Sequence, residues 1–193
     1  MTGLLQRGAG WKLQRSTERT AQLRVGMLRL VAITPEMLEA ECREDAAVLS
    51  SLLEAKVTVE WPPVEFDAYV RGIIEKQYAE WPDSFGWNRY VLLERGLGRQ
   101  RTLVGAVGGF VRAHGDVEIA YSTLPGFQRR GFATAFAGRM VEFLLAQEQV
   151  RSVSAQAYSA VPESIKVMER CGMVFAGEGD AVGTVRYRRW RSG

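Results

Sequence analysis

Apolar and polar positions follow two different periods along the first half of the chain. A strand pattern opens at Met27 with MLRLVAI, and Thr34-Pro35 then fits a helix cap followed by the first helical residue. The apolar residues after this pair support one or two helices. Between about Pro63 and Glu80, apolar side chains recur at steps of three and four residues, which predicts an amphipathic helix.

The second half of the chain reads mostly as strands. WNRYVLLER and TLVGAVGGFVRA flank the turn-rich GLGRQR, and His114-Gly115-Asp116 connects tightly into VEIAYSTL, so three successive antiparallel strands are expected. A helix from about Arg130 to Gln147, the strand RSVSAQAY, the helix ESIKVMERCG and the strands MVFAGE and TVRYRRW follow. This order predicts an α/β domain with a mixed, largely antiparallel central sheet flanked by helices.

Composition narrows the class of protein. A chain of 193 residues with 47% apolar content is long enough for one domain with a substantial core. No apolar run approaches the length of a membrane span. Cys42 and Cys171, with a single histidine, offer neither a disulfide framework nor a metal-ligand spacing. We therefore expect a soluble cytoplasmic protein without a metal site.

The basic charge is concentrated at the two ends of the chain. Residues 1–26 and the last eight residues hold nine Lys and Arg and one acid, which leaves 16 Lys and Arg against 21 Asp and Glu in residues 27–185. Basic ends on an acidic body, without a recognition motif, argue against nucleic-acid binding. We expect a basic extension over residues 1–26 and one domain over residues 27–193. A basic-tailed, ribosome- or RNA-associated protein is kept as a third hypothesis.

One turn has the features of an anion site. In LPGFQRRGFATAF, Pro125-Gly126 ends a predicted strand and a helix of small residues begins near Gly131. The first turn of a helix exposes unpaired N–H groups at the positive end of the helix dipole, which stabilises a phosphate placed there. Arg129 and Arg130 add positive charge, so the segment is suited to a diphosphate.

At these residues the sequence resembles the GNAT superfamily of N-acetyltransferases. The segment Gln128–Ala133 looks like the family's Q/R-x-x-G-x-G/A signature, which in relatives wraps the pyrophosphate of acetyl-CoA, and the predicted element order matches the family over roughly residues 27–190. Glu118–Tyr121 followed by Leu124-Pro125 is similar to a strand of the RimJ/RimL-type branch, which acetylates protein amino termini. The segment Ser164–Met173 resembles the second cofactor motif.

The chain departs from the family pattern at two positions. Val161 stands where relatives usually have an asparagine, so one side-chain contact to the pantetheine arm is missing or is supplied by another residue. Met168 stands where relatives often have the tyrosine that acts as general acid. Tyr158 and Tyr121 are candidate replacements, and water could also protonate the departing thiolate because a thiol has a pKa near 8.5.

The resemblance implies a direct transfer of an acetyl group from acetyl-CoA, the co-substrate, to an amine. A splayed strand pair would form the acyl-CoA groove, and a backbone N–H near Thr123 and Leu124 would hold the carbonyl oxygen. Glu118 is the expected base, acting through water, with Tyr158 as the expected acid. The cofactor residues implied are Thr123, Leu124, Gln128, Arg129, Arg130, Gly131, Phe132, Ala133, Thr134 and Ser164.

The sequence does not identify the amine that accepts the acetyl group. An acidic body suits a cationic amine, either a peptide amino terminus or a small-molecule amine. The alternative function is a non-catalytic acyl-CoA-binding module of the same fold, which the changes at Val161 and Met168 would suit. The sequence leaves the oligomeric state open, with a homodimer as one option.

Overall fold

A computed structural model of the protein describes residues 23–63, 66–96 and 100–192. Eight strands form one sheet in the order β1-β2-β3-β4-β5-β6-β8-β7. The strands are β1 (Leu23–Val25), β2 (Leu28–Ala32), β3 (Asn88–Arg95), β4 (Gln100–Val111), β5 (Asp116–Thr123), β6 (Ser152–Tyr158), β7 (Val174–Glu178) and β8 (Thr184–Trp190). The helices are α1 (Pro35–Cys42), α2 (Ala46–Leu53), α3 (Ala68–Glu80), α4 (Phe132–Leu145) and α5 (Pro162–Arg170).

The sheet is antiparallel except at one junction. Strands β5 and β6 pair in parallel, and their register ends at the pair Glu118↔Ser154. Strand β5 continues to Thr123 and β6 continues to Tyr158 without pairing to each other. The two strands therefore separate beyond Glu118 and leave a gap in the middle of the sheet, which confirms the predicted mixed, largely antiparallel architecture.

Helices cover both faces of the sheet, each over its own apolar core. On one face, α4 contributes Phe136 and Met140 to a core with Val117 and Ile119 of β5. On the other face, α1, α2 and α3 pack against Tyr90, Leu92 and further residues of β3 and β4. Because side chains alternate between the faces of a strand, β5 presents Glu118, Ala120 and Ser122 to the α3 side.

Two element boundaries differ from those expected from the sequence. The helix predicted from about Pro63 begins at Ala68, because Asp67 accepts a hydrogen bond from the Val70 N–H at 3.0 Å and caps it. The predicted extension overlaps the sheet, since β1 pairs with β2 and Leu23 is buried in the core. Residues 1–22, which make up the rest of that extension, lie outside the described residues.

The arginines near the carboxyl end make ion pairs and hydrogen bonds with other residues of the domain. Arg186 pairs with Asp180, Arg188 lies 3.5 Å from Asp116, and Arg189 pairs with Glu142 at 2.6 Å. Arg191 donates to the carbonyls of Leu145, Gln147 and Glu148 at the end of α4. These four side chains are thus used in contacts within the domain. Among the described residues, no helix has both the length and the apolar character needed to cross a bilayer.

Candidate acyl-CoA site

The turn between β5 and α4 opens a helix whose amides have no side-chain cap. Gly131 is the residue that precedes α4, and no side chain among the described residues accepts a hydrogen bond from the first turn. The first intrahelical bond runs from the Ala135 N–H to the Gly131 carbonyl at 3.0 Å. The N–H groups of Phe132, Ala133 and Thr134 therefore point out of the helix end, where the dipole favours an anion.

The backbone of this turn explains its glycine. Gly131 has φ +76°, in the left-handed region, and beyond its chain neighbours no described residue has an atom within 4 Å of where a β-carbon would sit. The conformation, and not a lack of space, therefore favours glycine here. Arg129 also has a positive φ, of 57°. The two left-handed residues wrap the chain around the amino end of α4.

A groove of about 610 Å³ lies at this helix end, between the part of β5 that is not paired with β6 and helix α5. It has the volume of a typical small-molecule site. It brings together eight of the predicted cofactor residues: Thr123, Gln128, Arg129, Gly131, Phe132, Ala133, Thr134 and Ser164. The sequence motif and the structural groove therefore coincide.

Two predicted cofactor residues do not line the groove. The Leu124 side chain is fully buried, and its N–H already donates to the Val104 carbonyl at 2.9 Å. Leu124 consequently cannot supply the backbone donor expected for the carbonyl oxygen. Arg130 is not among the groove-lining residues; its guanidinium lies 5.6 Å from the centre of the Phe127 ring, a cation–π contact with a residue that does line the groove.

The free edge of β5 supplies the backbone groups instead. Hydrogen-bonding directions alternate along a strand, and the Leu124 N–H points towards β4. The backbone groups of Thr123 and Tyr121 therefore point towards the gap left by β6. The Gln128 side chain marks this edge, since its Nε2 donates to the Thr123 carbonyl at 3.0 Å. The hydroxyl of Thr123 is buried and has no hydrogen-bond partner among the residues that the structure describes.

Helix α5 forms the opposite wall of the groove. The Tyr121 hydroxyl donates to the Ser164 carbonyl at 3.1 Å and ties β5 to this helix. Like α4, α5 has no side-chain cap, because Val161 stands at its start and also lines the groove. Met168, in contrast, is buried in the core.

The groove contains cations that the sequence interpretation missed. Lys166 and Arg170 stand four residues apart on α5 and line it together with Arg129. A separation of four residues places two side chains on the same face of a helix, so the spacing was a usable signal. With Glu163 as the acid in the lining, the groove has an excess of positive charge that suits a phosphorylated ligand.

The predicted base, Glu118, lies on the α3 side of the sheet. Its carboxylate accepts a hydrogen bond from Gln156 Nε2 at 2.9 Å and pairs with Arg112 at 3.2 Å. It is the last β5 residue paired with β6. The carboxylate is therefore held in a defined position at the point where the strands separate, but it does not line the cofactor groove.

The predicted acid lies away from the groove. Tyr158 ends β6 with 58% of its surface exposed, and it is not among the groove-lining residues. Tyr121, the second tyrosine considered, does line the groove, and burial raises the pKa of its phenol. Burial likewise raises the pKa of the Cys171 thiol to about 11, so Cys171 is protonated at neutral pH and a poor nucleophile.

Comparison with known proteins agrees with this geometry. Residues 27–174 match the model of the acetyltransferase (GNAT) domain family. The uncharacterized N-acetyltransferase YjdG of Bacillus subtilis (strain 168) is 22% identical over 173 residues, which cover 87% of this chain and 95% of that protein.

Solved structures share the fold at low sequence identity. An acetyltransferase from Agrobacterium tumefaciens str. C58 aligns with TM-score 0.59 and 18% identity over 88% of this chain and 94% of that one. A spermidine N-acetyltransferase from Vibrio cholerae, in complex with CoA and spermine, aligns with TM-score 0.54 and 17% identity over 86% and 96%. With its groove, its uncapped helix and its family match over more than half its length, the chain belongs to the GNAT acetyltransferases, enzymes that use acetyl-CoA.

Proposed function

We propose that the protein acetylates a primary amine, either a peptide amino terminus or a small-molecule amine, by direct attack within a ternary complex. The observation that carries this proposal is the open amino end of α4 beside the free edge of β5, both in one groove. That arrangement can bind a diphosphate at one end and align an acyl chain along a strand at the other.

The residues present fit acetyl-CoA in three respects. The N–H groups at the start of α4, together with Arg129, would hold the diphosphate. The backbone of Thr123 and Tyr121 would pair with the amides of the pantetheine arm and donate to the thioester oxygen. Lys166 and Arg170 supply positive charge for the remaining phosphate. When bound, acetyl-CoA supplies the activated acetyl group.

Glu118 is the proposed base. An alkyl amine has a pKa near 10, so it is mostly protonated at neutral pH and must lose a proton before it attacks. The Glu118 carboxylate lies on the strand that feeds the groove, two residues before Ala120, and it can receive that proton through water. Gln156 and Arg112 hold it in place. Solvent in the open groove can protonate the departing thiolate, whose pKa is near that of cysteine.

The branch of the family is part of the proposal. The similarity of Glu118–Tyr121 and Leu124-Pro125 to the RimJ/RimL-type pattern favours a peptide amino terminus as acceptor. The spermine in the Vibrio cholerae enzyme structure shows that a small polyamine is bound on a related fold. The acceptor assay must therefore include peptides, small monoamines and polyamines.

The test combines cofactor binding with acetyl transfer. Calorimetric titration with acetyl-CoA, followed by thiol release over the amine set, should show binding and then turnover. Glu118→Gln should lower kcat by about 100-fold while acetyl-CoA affinity stays within about twofold, because general-base catalysis contributes roughly two to four powers of ten.

Two outcomes would contradict the proposal in different ways. Unchanged turnover in Glu118→Gln would remove this residue from the mechanism but leave the transferase intact. Binding of acetyl-CoA without transfer to any amine in the set would instead support the non-catalytic acyl-CoA-binding module. Absence of acetyl-CoA binding would overturn the assignment of the groove itself.

A further inference from the structure

A second, smaller depression lies on the opposite face of the sheet from α4. It has a volume of about 50 Å³, and most of its wall is apolar. We call it the Asn88 pocket, after the polar residue that lies among Ile33, Phe66, Val70, Ile74 and Phe110. A water molecule occupies about 30 Å³ of liquid, so this space admits a group of roughly two or three heavy atoms.

A row of small residues forms the floor of the Asn88 pocket. Asn88 pairs with Gly108 across β3 and β4, and Gly108 pairs with Ala120 across β4 and β5. A β-carbon on Gly108 would lie 2.4 Å from Asn88 Oδ1 and 3.0 Å from the Phe110 ring. The glycine therefore lets the Asn88 amide lean over β4 towards β5.

The Asn88 amide is buried with its oxygen unpaired. Asn88 is fully buried, and none of the described residues donates a hydrogen bond to its Oδ1. The Tyr78 hydroxyl donates to the Ile33 carbonyl at 3.1 Å and lies close enough to accept from Asn88 Nδ2, so Oδ1 is the atom that lacks a partner in this part of the structure. Leaving a buried amide unpaired costs free energy, so a group that completes its bonds gains affinity.

The Asn88 pocket meets the cofactor groove at the gap between β5 and β6. Tyr121 and Ser122 line both spaces. Ala120 lies two residues after Glu118, the last β5 residue paired with β6, and it is exposed. Neighbouring strands lie about 4.8 Å apart, so a short substituent placed over Ala120 can reach an amide that leans over β4.

From this geometry we infer that Asn88 selects the acceptor. The inference deepens the proposed acetyl transfer and rests on it. The preferred acceptor is a primary amine with a substituent of two or three heavy atoms that ends in a hydroxyl or another hydrogen-bonding group. A hydroxyl can donate to the unpaired Asn88 Oδ1. No carboxylate is among the described residues that line the pocket, so a second cationic group of a polyamine has no partner there.

The test compares acceptors that differ in a single group. One pair is 2-aminoethanol and propylamine, and the other is a peptide that begins with serine and the same peptide that begins with 2-aminobutyrate. Rates are corrected for the fraction of neutral amine. In each class that is acetylated, the hydroxyl compound should have a kcat/KM about tenfold higher, because its analogue leaves a buried amide unpaired. The two pairs distinguish a free amino alcohol from a peptide amino terminus.

The variant Asn88→Leu separates recognition from packing. Leucine has a similar volume and no polar atoms, so the ratio of kcat/KM between hydroxyl and methyl acceptors should fall to about one, while the acetyl-CoA dissociation constant stays unchanged. The control is Thr58→Val, which removes another buried unpaired hydroxyl that is not in the lining. Its ratio should match that of the wild type. If Asn88→Leu does not fold, Gly108→Ala, whose methyl group would crowd the amide, should lower the same ratio.

The failures of the two proposals are distinguishable. If the enzyme binds acetyl-CoA and acetylates amines but treats hydroxyl and methyl acceptors alike, this inference is wrong and the proposed function stands. A wild-type preference that persists in Asn88→Leu would also overturn it. A chain that acetylates no amine would overturn the proposed function first.

Discussion

The helices on the two faces of the sheet begin in different ways. Thr34, Asp45 and Asp67 cap α1, α2 and α3, each accepting a hydrogen bond from an amide in the first turn of its helix. Gly131 and Val161 stand at the same position before α4 and α5, and neither helix has a side-chain cap. The capped helices pack over the apolar core on the α3 side of the sheet, whereas residues at the start of both uncapped helices line the groove.

This difference distinguishes helix ends that stabilise the protein from helix ends whose amides are free to bind a ligand. A Ser, Thr, Asp or Asn cap satisfies an orphan amide and stabilises the protein by about 1 kcal/mol. Where the cap is missing at a solvent-filled groove, the amides remain available for an external anion. The free amides belong to α4, because at the start of α5 Pro162 has no N–H and the Ser164 N–H donates to the Val161 carbonyl at 3.2 Å. The open end of α4, next to three cations, suits a ligand with phosphate groups.

The largest expected effect comes from a negative charge at the open end of α4. Gly131→Asp should raise the acetyl-CoA dissociation constant by about 100-fold, because the carboxylate would pair with the free amides and repel a diphosphate. Calorimetry measures the change. The control is Gly131→Asn, which has a similar shape and the same tolerance of positive φ without the charge, and should weaken binding only a few-fold. Equal affinity in Gly131→Asp and the wild type would show that phosphate is not bound there.

Replacing Arg129 should weaken acetyl-CoA binding more than replacing Arg130, and by less than Gly131→Asp does. Arg129 lines the groove, while Arg130 lies over the Phe127 ring. Arg129→Gln should weaken acetyl-CoA binding about tenfold, and this loss should shrink as salt is raised, because screening already weakens the charge it removes. The matched change Arg130→Gln should stay within about twofold. The reverse order of effects would contradict the lining described for this turn.

The smallest expected effect is on stability alone. Asp45→Ala removes the bond to the Val48 N–H, 3.0 Å long, and should lower the free energy of unfolding by about 1 kcal/mol. Urea denaturation measures this loss. The acetyl-CoA dissociation constant should not change, because α2 is on the face away from the groove. A weakened cofactor affinity in this variant would mean that capped and uncapped ends are not independent.

The elements that depend on local residue patterns could be predicted from the sequence. The strand, turn and small-residue helix around Gly131 could be located because each part has its own residue preferences. The distinction between Thr123 and Leu124 could not be made, since it depends on which backbone groups β4 already occupies. Which neighbouring strand each backbone N–H and C=O faces depends on how the strands pair, and a single sequence does not show that pairing.

The role of a side chain that depends on pairing with a neighbouring strand also could not be predicted from the sequence. From the sequence, Asn88 is only a polar residue at the start of a strand; the structure places it opposite Gly108, buried, with its Oδ1 unpaired among the described residues. β1 was missed for a related reason, because three residues have too little periodicity to stand out from a basic segment. Lys166 and Arg170, in contrast, were readable from their spacing on α5.

The position of β8 limits how far the chain can be shortened. The family match ends at residue 174, yet β8 lies between β6 and β7 in the sheet, and Arg191 beyond it binds the carbonyls at the far end of α4. A version trimmed to the matched region would expose the edge of β6 and release the back of the helix that faces the groove. Expression trials and fusion tags should therefore leave residues 175–193 intact.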